Sequence, residues 1–173
     1  MKQAATLVEP RTVRLERLLP GPVERVWAYL TDSRKRATWF AGGEFDLRIG
    51  GRVRLEFNHA SLSHEKATPE KWKAAEGAKF EGTITRLEPM RVLAYTWGPG
   101  DRDSEVTFEL SPRGEEVLLI ITHRGLGERK ETVSVASGWD VHTGILADVL
   151  SGKEPRPFWS THARLESEYE AQL

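Results

Sequence analysis

The sequence lacks cysteine altogether, which excludes disulfide bonds and every metal site that depends on thiolate ligands. It also lacks an excess of charge, because 25 lysines and arginines are matched by 26 aspartates and glutamates. A balanced charge argues against nucleic acid or an anionic membrane surface as a partner. No hydrophobic run is long enough to cross a bilayer, and residues 1–10 lack the apolar core of a signal peptide. We therefore expect a cytoplasmic protein with no membrane span.

The motifs that identify common enzymes are missing as well. The sequence contains no nucleophile elbow, zinc-protease helix, phosphate-binding loop or dinucleotide-binding fingerprint. We accordingly predict no catalytic residue, no metal ligand and no cofactor. Thermolabile residues are scarce too, with one asparagine and two methionines, which favours a heat-adapted or GC-rich bacterial source.

What the sequence does contain is a regular alternation of apolar and polar residues, the pattern of half-buried β-strands. Its 173 residues, 39% of them hydrophobic, suffice for one domain with a hydrophobic core. Each predicted strand has one polar face, so we expect an antiparallel sheet that is covered on one side only. The predicted strands cover residues 12–19, 44–49, 52–57, 79–87, 91–97, 104–110 and 116–123.

Helical spacing of apolar residues follows the first strand and returns at the end of the chain. Residues 23–30 and 33–39 predict two short helices, and residues 137–152 predict a long one. A single helix that lies across a one-sided sheet must bury its apolar face in the concavity of the sheet. A further helix is predicted within residues 155–173. The apolar face of the long helix carries Trp139, His142, Leu146 and Val149.

Several stretches resemble one known family. Residues 16–32 read ERLLPGPVERVWAYLTD, residues 37–40 read ATWF, and a glycine pair at 50–51 precedes a strand. These stretches are similar to the opening of the activator of heat-shock-protein-90 ATPase homologue-like family. Residues 138–152 resemble the helix signature of that family, so the resemblance spans residues 12–152. The family belongs to the START-like, or SRPBCC, superfamily, whose members resemble birch pollen allergen and polyketide cyclases.

The resemblance implies an α+β helix-grip fold. A curved antiparallel sheet of about six or seven strands would wrap around the long C-terminal helix, with two short helices after strand one and a deep apolar cavity beneath the long helix. We divide the chain into an N-terminal tail (1–11), a START-like domain (12–152) with a polar insertion (59–78), and a helical extension of the same domain (153–173).

The chain departs from the family pattern in three places. Thr143 and Gly144 stand where the family helix usually has a leucine and a helix-forming residue, and a glycine inside a helix costs about 1 kcal/mol relative to alanine. The insertion at residues 59–78 is longer than an ordinary hairpin loop. We also expect no counterpart of the N-terminal domain that the eukaryotic activator uses for its chaperone, which argues against a co-chaperone role.

Aromatic and histidine residues on the inward faces are the candidates for a binding site. They would line a pocket for a flat or greasy ligand, or form the hydrophobic core, and a helix-grip fold allows both. The residues that we expect to line the cavity are Trp39, Phe57, Phe80, Tyr95, Trp97, Phe108, His123, Trp139, His142 and Leu146.

Individual polar residues have more than one interpretation. His142 could be a general base, a hydrogen-bonding group for a ligand, or a core histidine that is satisfied by a nearby hydroxyl or carbonyl. His123 could converge with His142 on a metal or act with it as an acid–base pair, or lie near solvent at the end of its strand. We interpret His59 and His64 as solvated, and Asp140 as belonging to the solvent side of the long helix. The basic run at residues 34–36 is interpreted as a solvated charged surface.

Three hypotheses for the function follow. The leading one is a non-catalytic helix-grip domain that binds an apolar small molecule or an apolar segment of a partner. The second is an enzyme of the cyclase or hydratase type that uses polar groups of the cavity, such as His142 and Tyr95. The third is a protein-interaction role, as a homodimer or as a chaperone-linked stress-response protein, in which exposed Phe158 and Trp159 would form an apolar patch.

Overall fold

The computed structural model describes residues 4–9, 11–97 and 104–173. Within them, seven strands form one sheet in the order β1-β2-β7-β6-β5-β4-β3, and every neighbouring pair is antiparallel. This arrangement confirms the predicted α+β fold. The strands are β1 (Thr6–Glu9), β2 (Thr12–Pro20), β3 (Arg52–Glu56), β4 (Lys79–Glu88), β5 (Val92–Thr96), β6 (Glu105–Arg113) and β7 (Glu116–Arg124).

Four α-helices accompany the sheet in the described part of the chain: α1 (Val23–Thr31), α2 (Ser33–Arg36), α3 (Arg129–Leu150) and α4 (Phe158–Gln172). The long helix α3 packs against β2 and against α4. It begins at Arg129 rather than at residue 137, because Val133 and Ala136 continue its buried face toward the N-terminus. None of these helices is long and apolar enough to cross a membrane.

Two strand predictions differ from the structure. The predicted strand at residues 44–49 forms only a single bridge, between Phe45 and Val53, and the chain then turns back on itself. Gly43, at φ 107°, brings this segment so close to the backbone of Arg54 that a side chain at this position would collide with it. Conversely, β1 lies in the segment that the sequence assigns to a tail, and it pairs with β2.

The insertion at residues 59–78 folds into two short 3-10 helices, His59–Ser61 and Glu70–Ala75, and its polar side chains bind the start of α4. Ser63 Oγ accepts a hydrogen bond from the backbone N–H of Phe158 at 3.1 Å. The carboxylate of Glu65 accepts one from the backbone N–H of Ser160 at 2.8 Å. Such first-turn N–H groups have no partner within their own helix, so the insertion caps α4.

A buried ionic network joins the two long helices to the sheet, contrary to the prediction that Asp140 faces solvent. Its carboxylate accepts hydrogen bonds from Arg17 at 2.8 Å and from the hydroxyl of Tyr169 at 2.6 Å. The Tyr169 hydroxyl in turn accepts from the backbone N–H of Ala5 at 2.7 Å. Asp140 is buried because α4 covers the face of α3 that would otherwise meet water.

Arg36 is a second correction, since it is almost fully buried while its neighbours Arg34 and Lys35 are exposed as predicted. Its guanidinium donates to the carbonyl oxygens of Leu30 and Ala41 and lies 3.7 Å from the ring centre of Phe45. Burial lowers the pKa of Arg36 to about 10. The arginine thus ties the end of α1 to the loop after α2, which a run of three basic residues does not reveal.

Candidate ligand pocket

A pocket of about 230 Å³ lies between the sheet and α3. This volume is below the range of about 300–1,000 Å³ that is usual for drug-sized ligands, and above the cavity of about 150 Å³ that holds benzene. It therefore suits a molecule of one or two rings. Among the described residues its walls comprise Phe40, Phe57, Phe80, Trp97, His123, Ser134, Val135, Gly138, Trp139 and His142.

Six of the ten residues predicted to line a cavity lie on these walls, namely Phe57, Phe80, Trp97, His123, Trp139 and His142. Trp39, Tyr95, Phe108 and Leu146 are instead buried behind them. The Tyr95 and Phe108 ring centres lie 5.7 Å apart, and Phe108 meets Trp139 edge-on at 5.4 Å. These rings fill the inner part of the concavity, so the site is a small pocket rather than the deep cavity that the family resemblance implies.

Phe40 is a central wall residue that is not in the predicted set. Its ring centre lies 4.9 Å from that of Trp139, 5.0 Å from that of His142 and 5.1 Å from that of Phe57. Its place directly after Trp39 in the ATWF motif is the signal that could have identified it.

Three further wall residues lie on α3 and are outside the predicted set: Ser134, Val135 and Gly138. The first two lie in the turns that precede the predicted start of the helix at residue 137. Gly138 leaves open space, since a Cβ atom there would meet no atom within 4 Å. The pocket is therefore bounded on this side by a helix face without a large side chain.

His123 is completely buried, so its alternative placement near solvent at the end of its strand is wrong. Nε1 of Trp139 donates to Nδ1 of His123 at 3.0 Å, and Nε2 of His123 lies 2.6 Å from Oγ of Ser104. An indole N–H can only donate, so Nδ1 must be an acceptor and the neutral ring carries its proton on Nε2. His123 then donates to Ser104 and cannot remove the proton of that hydroxyl. Burial lowers the pKa of His123 to about 3.

His142 is held in the opposite tautomer. Its Nδ1 lies 2.9 Å from the carbonyl oxygen of Trp39, which can only accept, so the proton is on Nδ1 and Nε2 carries a lone pair. Burial lowers the pKa of His142 to about 3, and repulsion from His59 and His162 adds to this effect although the bond to Trp39 opposes it. No group of three or more metal-binding side chains occurs in the described residues.

A second aromatic cluster, formed by His59, Phe158 and Trp159, lies next to His142. The sequence predicts that His59 is solvated. His59 is buried, its Nδ1 lies 2.9 Å from the carboxylate of Glu76, and its ring centre is 6.1 Å from that of His142. Burial lowers the pKa of His59, although Glu76 opposes the shift. The other histidine of the insertion, His64, is exposed as predicted.

The same cluster buries Phe158 and Trp159, which are 2% and 5% exposed. Their rings pack on His59 with centre-to-centre distances of 4.8 and 4.9 Å. The apolar patch that these two residues would form on an isolated terminal helix is therefore covered by the insertion at residues 59–78.

A wider groove of about 720 Å³ lies outside the pocket, between the insertion, the start of α3 and α4. Ser134 belongs to the walls of both. The groove is bordered mostly by charged side chains, including Lys71, Lys130, Glu166 and Glu170. The pocket has aromatic walls and a few polar groups, whereas most of the residues around the groove are charged. Of the two, the groove has a volume within the usual range for drug-sized ligands.

Comparison with known proteins identifies the family and supports the fold. Residues 20–151 match the family model of the Activator of Hsp90 ATPase homolog 1-like protein. The solution structure of the protein encoded by BPP1335 of Bordetella parapertussis is 44% identical, with a TM-score of 0.83 over 99% of this chain and 91% of that one. No curated protein sequence matches the chain.

Two more distant structures show the fold alone. CalU16 from Micromonospora echinospora is 23% identical, with a TM-score of 0.69 over 98% of this chain and 94% of that chain. The Aha1 dimer from Colwellia psychrerythraea is 16% identical, with a TM-score of 0.61 over 80% of this chain and 95% of that chain.

Proposed function

This chain belongs to the family of Activator of Hsp90 ATPase homolog 1-like proteins, and we propose that it binds an apolar small molecule in the pocket between the sheet and α3, without transforming it. The observation that carries the proposal is the composition of the pocket wall. Five aromatic side chains, Phe40, Phe57, Phe80, Trp97 and Trp139, border about 230 Å³ of space. Aromatic walls with few polar groups favour transfer of a flat apolar molecule from water.

The polar residues of this region favour binding over catalysis. A general base works best when its pKa lies near the working pH, and the pKa values of His123 and His142 are lowered to about 3. Both ring nitrogens of His123 also have partners. Tyr95, the other polar group considered for a cyclase or hydratase, is buried behind the wall, and burial raises its pKa.

A graded substitution of Gly138 tests the proposal. Replacement by alanine and then by leucine adds volume directly into the pocket, where a new Cβ meets no atom within 4 Å. Both residues also have a higher helix propensity than glycine, by about 0.8–1 kcal/mol, so the fold is retained. We expect naphthalene, titrated into ¹⁵N-labelled protein and followed by NMR, to bind the wild type and to lose at least tenfold in affinity with Gly138→Leu.

Gly138→Ala should give a smaller loss, and Lys130→Leu in the outer groove should give none. The proposal fails if naphthalene does not shift the resonances of the pocket residues in the wild type, or if it binds Gly138→Leu as well as the wild type. A larger effect of Lys130→Leu than of Gly138→Leu would place the ligand in the outer groove and would equally contradict it.

Self-association is a second candidate function, favoured by one edge of the sheet. β1 is an outer strand, and Leu7 and Val8 on it are 44% and 50% exposed. Unpaired backbone groups beside exposed apolar side chains are a template for pairing with a second copy, and the Colwellia psychrerythraea relative is a dimer. Sedimentation velocity should give a dimer that Val8→Lys converts to a monomer; a monomeric wild type at high concentration excludes this candidate. Chaperone binding and a stress-response role stay predictions from the family.

A further inference from the structure

We infer that the ligand of the pocket is a planar, uncharged molecule with a hydroxyl or N–H group, and that this group donates a hydrogen bond to Nε2 of His142. The inference rests on the proposed function and specifies the chemical class of the ligand. It depends on three properties of His142, which are its tautomer, its access to the pocket and its surroundings.

The tautomer of His142 is fixed from outside the pocket. The carbonyl oxygen of Trp39, 2.9 Å from Nδ1, accepts a hydrogen bond from the ring N–H. The backbone at Trp39 is itself well held, because the indole Nε1 of this residue donates to the carbonyl oxygen of Tyr29 at 2.8 Å. A neutral imidazole with its proton on Nδ1 presents Nε2 as an acceptor.

Nε2 of His142 makes no hydrogen bond to another of the described residues. His142 is buried, with 5% of its surface exposed, and it borders the pocket. An acceptor without a donor beside an aromatic wall is a place for a ligand donor.

The charges around the pocket favour an uncharged ligand. No lysine, arginine, aspartate or glutamate occurs among the described wall residues. An anion would approach a lone pair without a countercharge, and a cation would lose hydration without meeting a carboxylate. The low pKa of His142 keeps its imidazole neutral, and therefore an acceptor, throughout the physiological pH range.

The wall also favours a flat shape. The rings of Phe80 and Trp97 are stacked with centres 5.6 Å apart and planes inclined by 26°. Phe40 stacks beyond Trp97 at 6.2 Å with an inclination of 28°. The three rings are thus nearly parallel to one another, and His142 is edge-on to Phe40 at 5.0 Å. A planar ring system can pack parallel to these rings while a substituent at its edge reaches the histidine.

Three probes of the same ring size separate the donor from general polarity. They are 2-naphthol, which carries a donor, 2-methoxynaphthalene, which carries only an acceptor, and naphthalene, which carries neither. An acceptor that is left unpaired in a buried site costs free energy, which a ligand donor recovers. We therefore expect 2-naphthol to bind the wild type on the order of tenfold more tightly than either other probe at pH 7.

The His142→Phe variant keeps a ring in the wall and removes the acceptor. It should lose the preference for 2-naphthol, so that its affinities for 2-naphthol and naphthalene become similar. Because this variant also removes the bond to Trp39, a measurement on the wild type complements it: the ¹⁵N resonance of Nε2 of His142 should move upfield, away from the value of an unbonded lone pair, when 2-naphthol binds, and should not do so with naphthalene.

The outcomes distinguish the two claims. Equal affinity of the wild type for all three probes, or tighter binding of 2-methoxynaphthalene, overturns the inference and leaves apolar binding intact. A preference for 2-naphthol that persists in His142→Phe also overturns it, because another group would then accept the hydrogen bond. Failure of all three probes to bind contradicts the proposed function itself.

Discussion

Nε1 of Trp139 and Nδ1 of His123 are joined by a hydrogen bond of 3.0 Å between α3 and the interior strand β7. The bond satisfies the polar atom of the largest side chain on the inner face of the helix. It also fixes the tautomer of His123, with the proton on Nε2. His123 therefore donates the hydrogen bond of 2.6 Å to Ser104. The hydrogen bond from Trp139 therefore prevents His123 from acting as a base toward Ser104.

Removal of the indole N–H tests this relationship. Trp139→Phe should destabilise the fold by about 3 kcal/mol or more, because it leaves the buried acceptor of His123 unpaired and also reduces ring volume. Urea denaturation measures the loss. The double variant Trp139→Phe/His123→Leu should be less destabilised than the sum of the two single variants, since it removes both partners. Strict additivity would show that the bond contributes nothing.

Acid should weaken the fold through its buried histidines. The pKa values of His123 and His142 are lowered to about 3 in the folded protein, from an ordinary value of 6.5. Between these values the unfolded chain binds more protons than the folded one, so stability is full above pH 6.5 and falls as the pH drops below it. Each such histidine contributes a slope of up to about 1.4 kcal/mol per pH unit.

Urea midpoints between pH 7.5 and pH 5.5 measure this slope before most carboxylates titrate. His142→Phe should reduce the slope, whereas Gly138→Ala, which changes no titratable group, should leave it unchanged. His59 and His162 contribute in the same direction, because burial lowers the pKa of each. A stability that is flat over this range, or that rises toward pH 5.5, contradicts the prediction.

The sequence predicts the sheet well because its signal is local. The alternation in residues 104–110 and 116–123 predicts a hairpin, and the structure pairs Val106 with His123 and Phe108 with Ile121 in one continuous register. Strand parity also places the inward residues correctly. It does not distinguish a wall residue such as Trp97 from a core residue such as Tyr95, because that difference depends on where the concavity is filled.

Two of the errors concern residues whose partners are distant in the sequence. Asp140 is covered by Tyr169 on a helix that follows it, and His59 is covered by Phe158 and Trp159 about a hundred residues away. Each of these residues looks solvated in its local context. They are buried because α4 docks against α3 and the insertion. The periodicity of a single segment does not predict that contact.

Asp140 offers a direct test of this docking. Asp140→Ala should cost about 3–5 kcal/mol, because Arg17 would be left as a charge with 14% side-chain exposure and no carboxylate. Tyr169→Phe removes two hydrogen bonds, the one to Asp140 and the one from the backbone N–H of Ala5, and should cost about 1–3 kcal/mol. The double variant Arg17→Met/Asp140→Leu should recover most of the stability in urea denaturation. A double variant no more stable than Asp140→Ala would show that the charge is not the cause.

The two glycines within α3 provide the last prediction, and they should respond in opposite ways to the same substitution. A Cβ at Gly138 meets no atom within 4 Å, whereas one at Gly144 would lie 2.6 Å from Nη1 of Arg156. That guanidinium is not free to move away, since it binds the carboxylate of Asp148 through two hydrogen bonds of 2.8 and 2.9 Å. Gly138→Ala should therefore stabilise the protein by about 0.8–1 kcal/mol through helix propensity.

Gly144→Ala should lose that gain, because it displaces Arg156 from Asp148. In the Arg156→Ala background the obstacle is absent, and Gly144→Ala should then stabilise by about the same amount as Gly138→Ala. Thermal or urea unfolding of the four variants in this cycle gives the coupling between the two sites. A stabilising effect of Gly144→Ala that is equal in both backgrounds would mean that Arg156 does not hold this position, and the departure from the family helix at Gly144 would need another explanation.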